Sequence, residues 1–293
     1  MDVRFRWLTP DSGHEWKRKG RGRGTQRLVP LSGAIDSKRP GRVREYTPPL
    51  GLFRRFAGLN IANDALRERE IRKFADEFGD IIAQPQEGKM RLTTEIEIIR
   101  NHATLETWCR TIQHMRRAVD LWDRINDPKR RLELQRIIGR SQSAITYRSI
   151  HHPLENKADD VEYLVIATGK DVSAYPSRDI IRPARRALQL EIRRALTDTE
   201  TPSHATPYLT SDLRLVIYPV NLLADMWLTF ARVVSGEIEE RRCVVCPKHF
   251  YVGSGPRLCR ADRVTCSDVC RKQKQRQGDE HLRLLPRRTD KRV

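Results

Sequence analysis

Five of the six cysteines in this chain of 293 residues fall within RRCVVCPKHFYVGSGPRLCRADRVTCSDVCRKQKQR, residues 241–276. Their spacing is Cys243-x2-Cys246, a longer loop, then Cys266-x3-Cys270. Two close pairs separated by a loop are what a tetrahedral four-thiolate site needs. Each pair supplies two sulfurs from a tight turn or a first helical turn, and the loop brings the pairs together. In a reducing compartment such a cluster serves metal rather than disulfides. The pattern predicts one structural Zn2+ held by Cys243, Cys246, Cys266 and Cys270. Zinc would replace a hydrophobic core that so small a unit cannot build. Four thiolates leave no open position for water, so metal-assisted hydrolysis is not expected.

The residues between and after the pairs sharpen this picture. Ser267 reads as a helix N-cap with Asp268 in the first turn, which puts Cys270 near the helix N-terminus, where a thiolate is favoured. The first pair precedes Pro247 and a turn into KHFYVG. The unit therefore reads as a knuckle, a short hairpin and a helix, a treble-clef-like finger. Cys259 lacks a close partner and reads as a free thiol. His249 is expected to face solvent or pack locally.

The chain carries 56 Lys+Arg against 38 Asp+Glu, a formal charge of +18. Residues 1–45 hold 12 basic and 5 acidic side chains, and residues 241–293 hold 15 and 5. The middle, 46–240, is nearly balanced at 29 and 28. Basic ends on a balanced body point to a polyanion, most commonly nucleic acid. Arg271, Lys272, Lys274 and Arg276 lie within two turns of the helix after Cys266, interleaved with glutamines, and Arg241 and Arg242 lead into the first pair. These six are the candidate nucleic-acid contacts: Arg and Lys neutralise phosphates, while Arg and Gln also bond base edges. Lys248, Arg257, Arg260 and Arg263 surround the same unit. Basic side chains on a metal-rigidified helix favour duplex DNA. The alternatives are RNA or single strands, with RKGRGRG gripping backbone and Phe250 and Tyr251 as stacking surfaces, and a protein-interaction adaptor folded by zinc.

The rest of the chain predicts a mainly α (α+β) fold. Residues 1–45, rich in Gly, Arg, Lys and Pro, read as a flexible basic tail. Residues 46–240 read as a helical domain with a small β hairpin, residues 241–278 as the finger and 279–293 as a second basic tail. NDALREREIRKFADEFG (63–79) reads as a helix capped by Asn63 or Asp64, with Leu66, Phe74 and Phe78 on one face and Gly79 at its stop. Apolar residues from Ile98 to Ile125 recur at helical steps and predict one long amphipathic helix. VEYLVIAT (161–168) reads as a strand. IIRPARRALQLEIRRAL (180–196) reads as a helix, with Ile181, Leu188 and Ile192 inward. YLTSDLRLVIYPV (208–220) reads as two strands around Ser211 and Asp212. Asn221 is placed to cap a last helix bearing Leu223, Trp227, Phe230 and Val234, ending at Gly236. The helical domain is a candidate homo-oligomerisation surface.

No apolar run reaches membrane-spanning length, since Val220 to Val234 is short and interrupted by Asp225 and Arg232. The N-terminus has no apolar h-region, so a soluble cytoplasmic protein is expected, nucleoid-associated if it binds DNA. No catalytic residues are assigned. SIHHPLENKADD (149–160) gathers His151, His152, Glu155, Asp159 and Asp160 but matches no mechanistic spacing, and a polar loop explains it better. ATGKD (167–171) and GSGP (253–256) lack the full pattern of a phosphate loop.

On RRCVVCPKHF and TCSDVCRKQKQR, the C-terminal part resembles the CGNR-type zinc fingers of bacterial proteins. RLVIYPVNLLADMWLTFARVVSGEIEERRC resembles the segment leading into such fingers. LFRRFAGL and the helix ending RRAVDLWDRI resemble segments of related bacterial proteins with a helical N-terminal region, and the N-terminal domain is similar in layout to the ABATE domain found with these fingers. The resemblance spans roughly residues 46–277, and only the finger is specific. It implies transcription regulation, with the finger binding DNA. The name-giving tetrapeptide departs: here it is Cys270-Arg271-Lys272-Gln273, so the family's Gly-Asn-Arg is not carried over. Only the four cysteine ligands and the general basic helix are.

Overall fold

A computed structural model describes residues 7–10, 13–18, 26–30, 35–36, 39–40, 43–82, 102–150, 161–197, 205–209, 215–253 and 258–284. About half of these are helical, and the strands form small antiparallel sheets. The chain divides into two compact units, residues 1–231 and 232–293.

The larger unit is organised by three aromatic-bearing helices. Helix α1 (Leu52–Ala57) buries Leu52, Phe53 and Phe56. Helix α2 (Asp64–Phe78) starts where the Asn63 side chain accepts from the Ala65 and Leu66 N–H groups, and it stops at Gly79, whose φ of 82° suits glycine. Helix α3 (Leu105–Asn126) buries Trp108, Ile112, Met115 and Ile125. Phe56, Phe74 and Trp108 meet with ring centroids 5.4–6.1 Å apart, tilted or edge-on as aromatic quadrupoles prefer. Arg116 of α3 donates to the carbonyls of Ala57 and Leu59, satisfying groups that the end of α1 leaves open.

Helix α3 is shorter than the apolar spacing predicts. Thr104 caps it by accepting from the Thr107 N–H at 3.1 Å, and Ala103 is held outside it by its N–H bond to Asp80. Periodicity registers a face and is blind to a cap that stops the ladder. Ile98 lies outside the described residues.

After a 3-10 turn (Pro128–Arg130), helix α4 (Arg131–Ile137) leads into an antiparallel sheet of β7 (Ile138–Arg140), β8 (Ala144–Ile150) and β9 (Val161–Thr168). The sheet has a bulge at Ile145/Thr146. Strand β9 was expected, whereas β7 and β8 were not. Helix α5 (Ile181–Thr197) packs against β8 and β9, and Asp179 accepts from its first N–H groups. Leu188 and Ile192 of α5 are buried as predicted, and Ile181 is half-buried. Strands β10 (Ala205–Leu209) and β11 (Leu215–Pro219) form the predicted hairpin, while Ser211 and Asp212 lie outside the described residues. Helix α6 (Leu222–Val234) is capped by Asn221, which accepts from the Ala224 N–H at 2.9 Å. His114, Glu191 and Trp227 meet in the core: His114 Nε2 is 2.6 Å from Glu191 Oε2 and its ring is 4.8 Å from Trp227.

The N-terminal residues differ most from expectation. Among the described residues of 1–45, where a flexible tail is expected, β1 (Trp7–Pro10) pairs with β6 (Val43–Tyr46), and β2 (His14–Arg18) pairs with β3 (Gln26–Pro30), while residues 19–25, which hold most of the RKGRGRG stretch, lie outside the described residues. A two-residue pair, β4 (Ile35–Asp36) with β5 (Arg39–Pro40), lies between them in sequence. These strands are tied to α2. The Thr9 hydroxyl donates to the Ala75 carbonyl, the His14 N–H donates to Asp76 at 2.7 Å, and the Trp16 indole donates to the Glu68 carbonyl. Leu28 and Val29 are buried. At Gly13 φ is +80° and an added Cβ would lie 3.0 Å from the Asp76 carboxylate, so only glycine permits this turn. Composition does not disclose these strands because the side-chain bonds that fix them to α2 reach 32 to 67 residues along the chain.

Among the described residues, no helix is long and apolar enough to cross a membrane.

Candidate metal centre and basic cleft

In the smaller unit, β12 (Glu239–Arg242) and β13 (His249–Val252) form a hairpin with Arg242 opposite His249. The Cys243 N–H donates to the Lys248 carbonyl at 2.9 Å, so Cys243-x2-Cys246 lies inside the turn of that hairpin. The predicted order, knuckle and then hairpin, is corrected here: the knuckle is the hairpin's own connection. Beyond β13 the chain returns alongside it, with the Cys259 N–H donating to the Tyr251 carbonyl at 2.8 Å. A loop over 260–265 then delivers Cys266 to the knuckle, where the Val244 N–H meets the Val264 carbonyl. Ser267 caps helix α7 (Asp268–Leu284), its hydroxyl accepting from the Cys270 N–H at 3.3 Å. Cys270 therefore sits in the first turn, as predicted.

The Sγ atoms of Cys243, Cys246, Cys266 and Cys270 all lie within 4.8 Å of one another. Cys246–Cys266, Cys266–Cys270 and Cys246–Cys270 are 3.5, 3.6 and 3.8 Å apart. A disulfide needs about 2.05 Å, and all six cysteines are free thiols. A tetrahedral centre with metal–sulfur bonds of about 2.3 Å has edges of about 3.8 Å. The cluster thus has the donor set and the spacing to hold a metal ion. Among the described residues it is the one such group of three or more His, Cys, Asp or Glu.

Backbone amides turn toward the sulfurs. The Cys266 N–H donates to Cys243 Sγ at 3.4 Å. Burial pushes the Cys243 thiol up, but the N–H groups of Val245, Cys266 and Cys246 outweigh it and pull the thiol down to about 6. Cys266 is pushed up to about 12 by burial and by the neighbouring sulfurs. A cation among four adjacent sulfurs would offset the mutual repulsion of their thiolates.

Cys259 packs against the cluster without joining it. His249 also stays outside it, 3.3 Å from Glu240. The sixth cysteine, Cys109, is buried in α3 and its thiol is pushed up to about 11 by that burial, which makes it unreactive.

The six predicted nucleic-acid contacts separate into different roles. Arg271 and Lys274 line a cleft of about 620 Å³, together with Arg260, Asp262, Arg263, Val264, Thr265 and Gln275. Lys272 and Arg276 are exposed on α7 and do not line it. Arg242 is exposed at the end of β12. Arg241 is an internal clasp: it grips Glu239 with two bonds and donates to the carbonyls of Ala261 and Arg263 at 2.5 and 3.2 Å. Sequence alone could note Arg260 and Arg263 as nearby charge but had no means to bring them to the helix.

Phe250 and Tyr251 are buried, and the Tyr251 hydroxyl donates to Glu240, so neither offers a stacking face. The histidine-rich stretch 151–160 lies outside the described residues. No protein-family model, no curated protein and no solved structure matches this chain.

Proposed function

We propose that this protein binds duplex DNA through a zinc-stabilised, treble-clef-like finger, and that it acts as a transcription regulator of the CGNR type it resembles. The observation that supports this most is the joining of a four-sulfur centre to a cation-lined cleft through one helix. Cys270 on the first turn of α7 belongs to the centre, while Arg271 and Lys274 on the next residues line the cleft. Cys243, Cys246, Cys266 and Cys270 would hold the ion. Soft thiolates in a tetrahedral set suit zinc, which supplies a structural cross-link and no chemistry of its own. The protein is read as a binder and not as an enzyme.

Phosphate neutralisation would dominate affinity, so binding should fall linearly in log–log form with salt. The test titrates full-length protein against a fluorescent duplex from about 50 to 300 mM salt, with and without a zinc chelator. Tight, salt-steep binding that weakens on chelation is expected. Failure to bind duplex at the lowest salt would end the DNA reading.

A second reading, a protein-docking knob, has one observation in its favour. Val244, Val264 and Val269 are exposed on this small unit, at 62, 39 and 75% of their surface. Salt-insensitive capture of a protein partner, with no nucleic acid retained, would favour it.

A further inference from the structure

The cleft between residues 260–265 and α7 brings together cations from two separate segments. Arg260 and Arg263 come from the loop, Arg271 and Lys274 from the helix, and Asp262 is the one carboxylate among the lining residues. An ordinary protein surface intersperses both signs, and four cations converging on one hollow are mutually repulsive unless an anion joins them.

The loop that carries two of these cations is fixed by its backbone. Arg241 holds the carbonyls of Ala261 and Arg263, the Arg263 N–H closes a turn onto the Arg260 carbonyl, and Val264 is bonded to the knuckle at Val244. Arg263 is further oriented by its Nε bond to the Thr265 carbonyl at 2.8 Å. A loop backbone and an Arg263 side chain set in place before the ligand arrives lose less entropy on binding. Asp268 is the nearest competitor, 3.4 Å from Arg263 and 3.6 Å from Arg271. Both pairs are long and solvent-exposed, the class of ion pair that contributes least, so a phosphate can displace them.

The neighbouring cations do not line the cleft. Residues 271, 274 and 275 span about 100° of the helix, while Lys272 lies about 60° and Arg276 about 100° beyond the Gln275 edge. Equal charge on adjacent positions is thus split between inside and outside.

We infer that this cleft is a clamp for the phosphodiester backbone of duplex DNA, with Arg260, Arg263, Arg271 and Lys274 as its phosphate ligands. Gln275 at its wall adds a neutral hydrogen-bonding group. Lys272 and Arg276 contribute only through the general field. The clamp rests on the DNA reading above and specifies which surface performs it.

The test compares two double variants of the full-length, zinc-replete protein, each losing two positive charges: Arg260→Gln with Lys274→Gln, and Lys272→Gln with Arg276→Gln. All four side chains are exposed, and zinc content and circular dichroism verify that each variant is folded. Binding to a fluorescent duplex is measured across a salt series, with the corresponding single strand in parallel. The cleft pair should lower affinity at least tenfold and flatten the salt slope by about two, roughly 0.9 per lost phosphate contact. The helix pair should stay within about threefold of the parent, with a slope change under one. Equal losses in the two pairs would overturn the clamp while leaving salt-steep DNA binding intact. A parent protein that does not bind duplex would overturn the clamp together with the DNA reading. A cleft-pair loss confined to the single strand would overturn the assignment to duplex.

Discussion

Each of the two units has a different kind of interior. In the larger, the fully buried side chains are large and apolar: Trp108, Trp227, Phe53, Phe56, Phe74 and Phe230 lead them. In the smaller, the buried cluster around the hairpin is Cys243, Phe250, Val252 and Cys270, with Val245, Cys246, Cys259 and Cys266 packed against it. Five of those eight residues are cysteines, and four of them are the cysteines of the cluster, so the candidate ligands are also half of its core. Aromatic burial contributes stability side chain by side chain, whereas a four-cysteine cluster holding an ion would contribute through that one shared ion. The larger unit should therefore weaken gradually under mutation and the smaller one all at once.

The largest effect should follow from breaking the centre. Cys266→Ser, or removal of metal, should unfold the hairpin and the first turns of α7, since metal binding in such units supplies about 10–16 kcal/mol of folding free energy. Hydrogen exchange is the measurement. Amides of residues 239–270 should lose protection while those in α3 keep theirs. Loss of protection in both regions would mean the contrast between the units is wrong.

The reciprocal change belongs in the larger unit. Phe74→Ala removes a fully buried ring from contact with Phe56, Phe78 and Trp108. It should cost about 3–5 kcal/mol by denaturant unfolding. Bound metal per chain should be unchanged. A fall in metal stoichiometry without loss of body structure would break the comparison from the other side.

What was legible in the sequence follows the range of the interactions involved. The caps at Asn63, Asn221 and Ser267 and the stop at Gly79 depend on bonds spanning two to four residues, so residue type and spacing disclose them. The four-cysteine cluster was legible for a related reason: the cysteines come in close pairs, and pairs are local even when the loop between them is not. The N-terminal strands were hidden because Gly and Arg set the composition while the deciding bonds reach Ala75, Asp76 and Phe78. Arg241 shows the same limit at the site. Its charge suggested a phosphate contact, yet its bonds go to Glu239 and two carbonyls of the loop. Charge can be read from a sequence, but what a charge is already bonded to cannot.

The smallest effect concerns how the N-terminal strands are attached to α2, and it is set by pH. His14 is almost fully buried, with Nδ1 3.2 Å from Asp76 Oδ1. Burial holds its pKa below the ordinary 6.5, outweighing the hydrogen bond to Asp76 and the charges of Asp80 and Asp76, which pull the other way, while His102 adds to the lowering. The folded chain therefore takes up this proton less readily than the unfolded chain does. Stability from this residue is complete above about pH 6.5 and is lost as pH falls from there toward the lower folded pKa. Denaturant midpoints measured at intervals between about pH 7.5 and 5 should decline over that window, and His14→Gln should flatten the decline. The substitution leaves the backbone N–H of residue 14 on Asp76, so the strand keeps its main tether while the titrating ring is gone. An unchanged slope in the variant would assign the pH dependence elsewhere. A parent stability that rises on acidification would mean that the His14–Asp76 ion pair outweighs burial, and the strands would then be held by charge in a unit otherwise held by apolar contact.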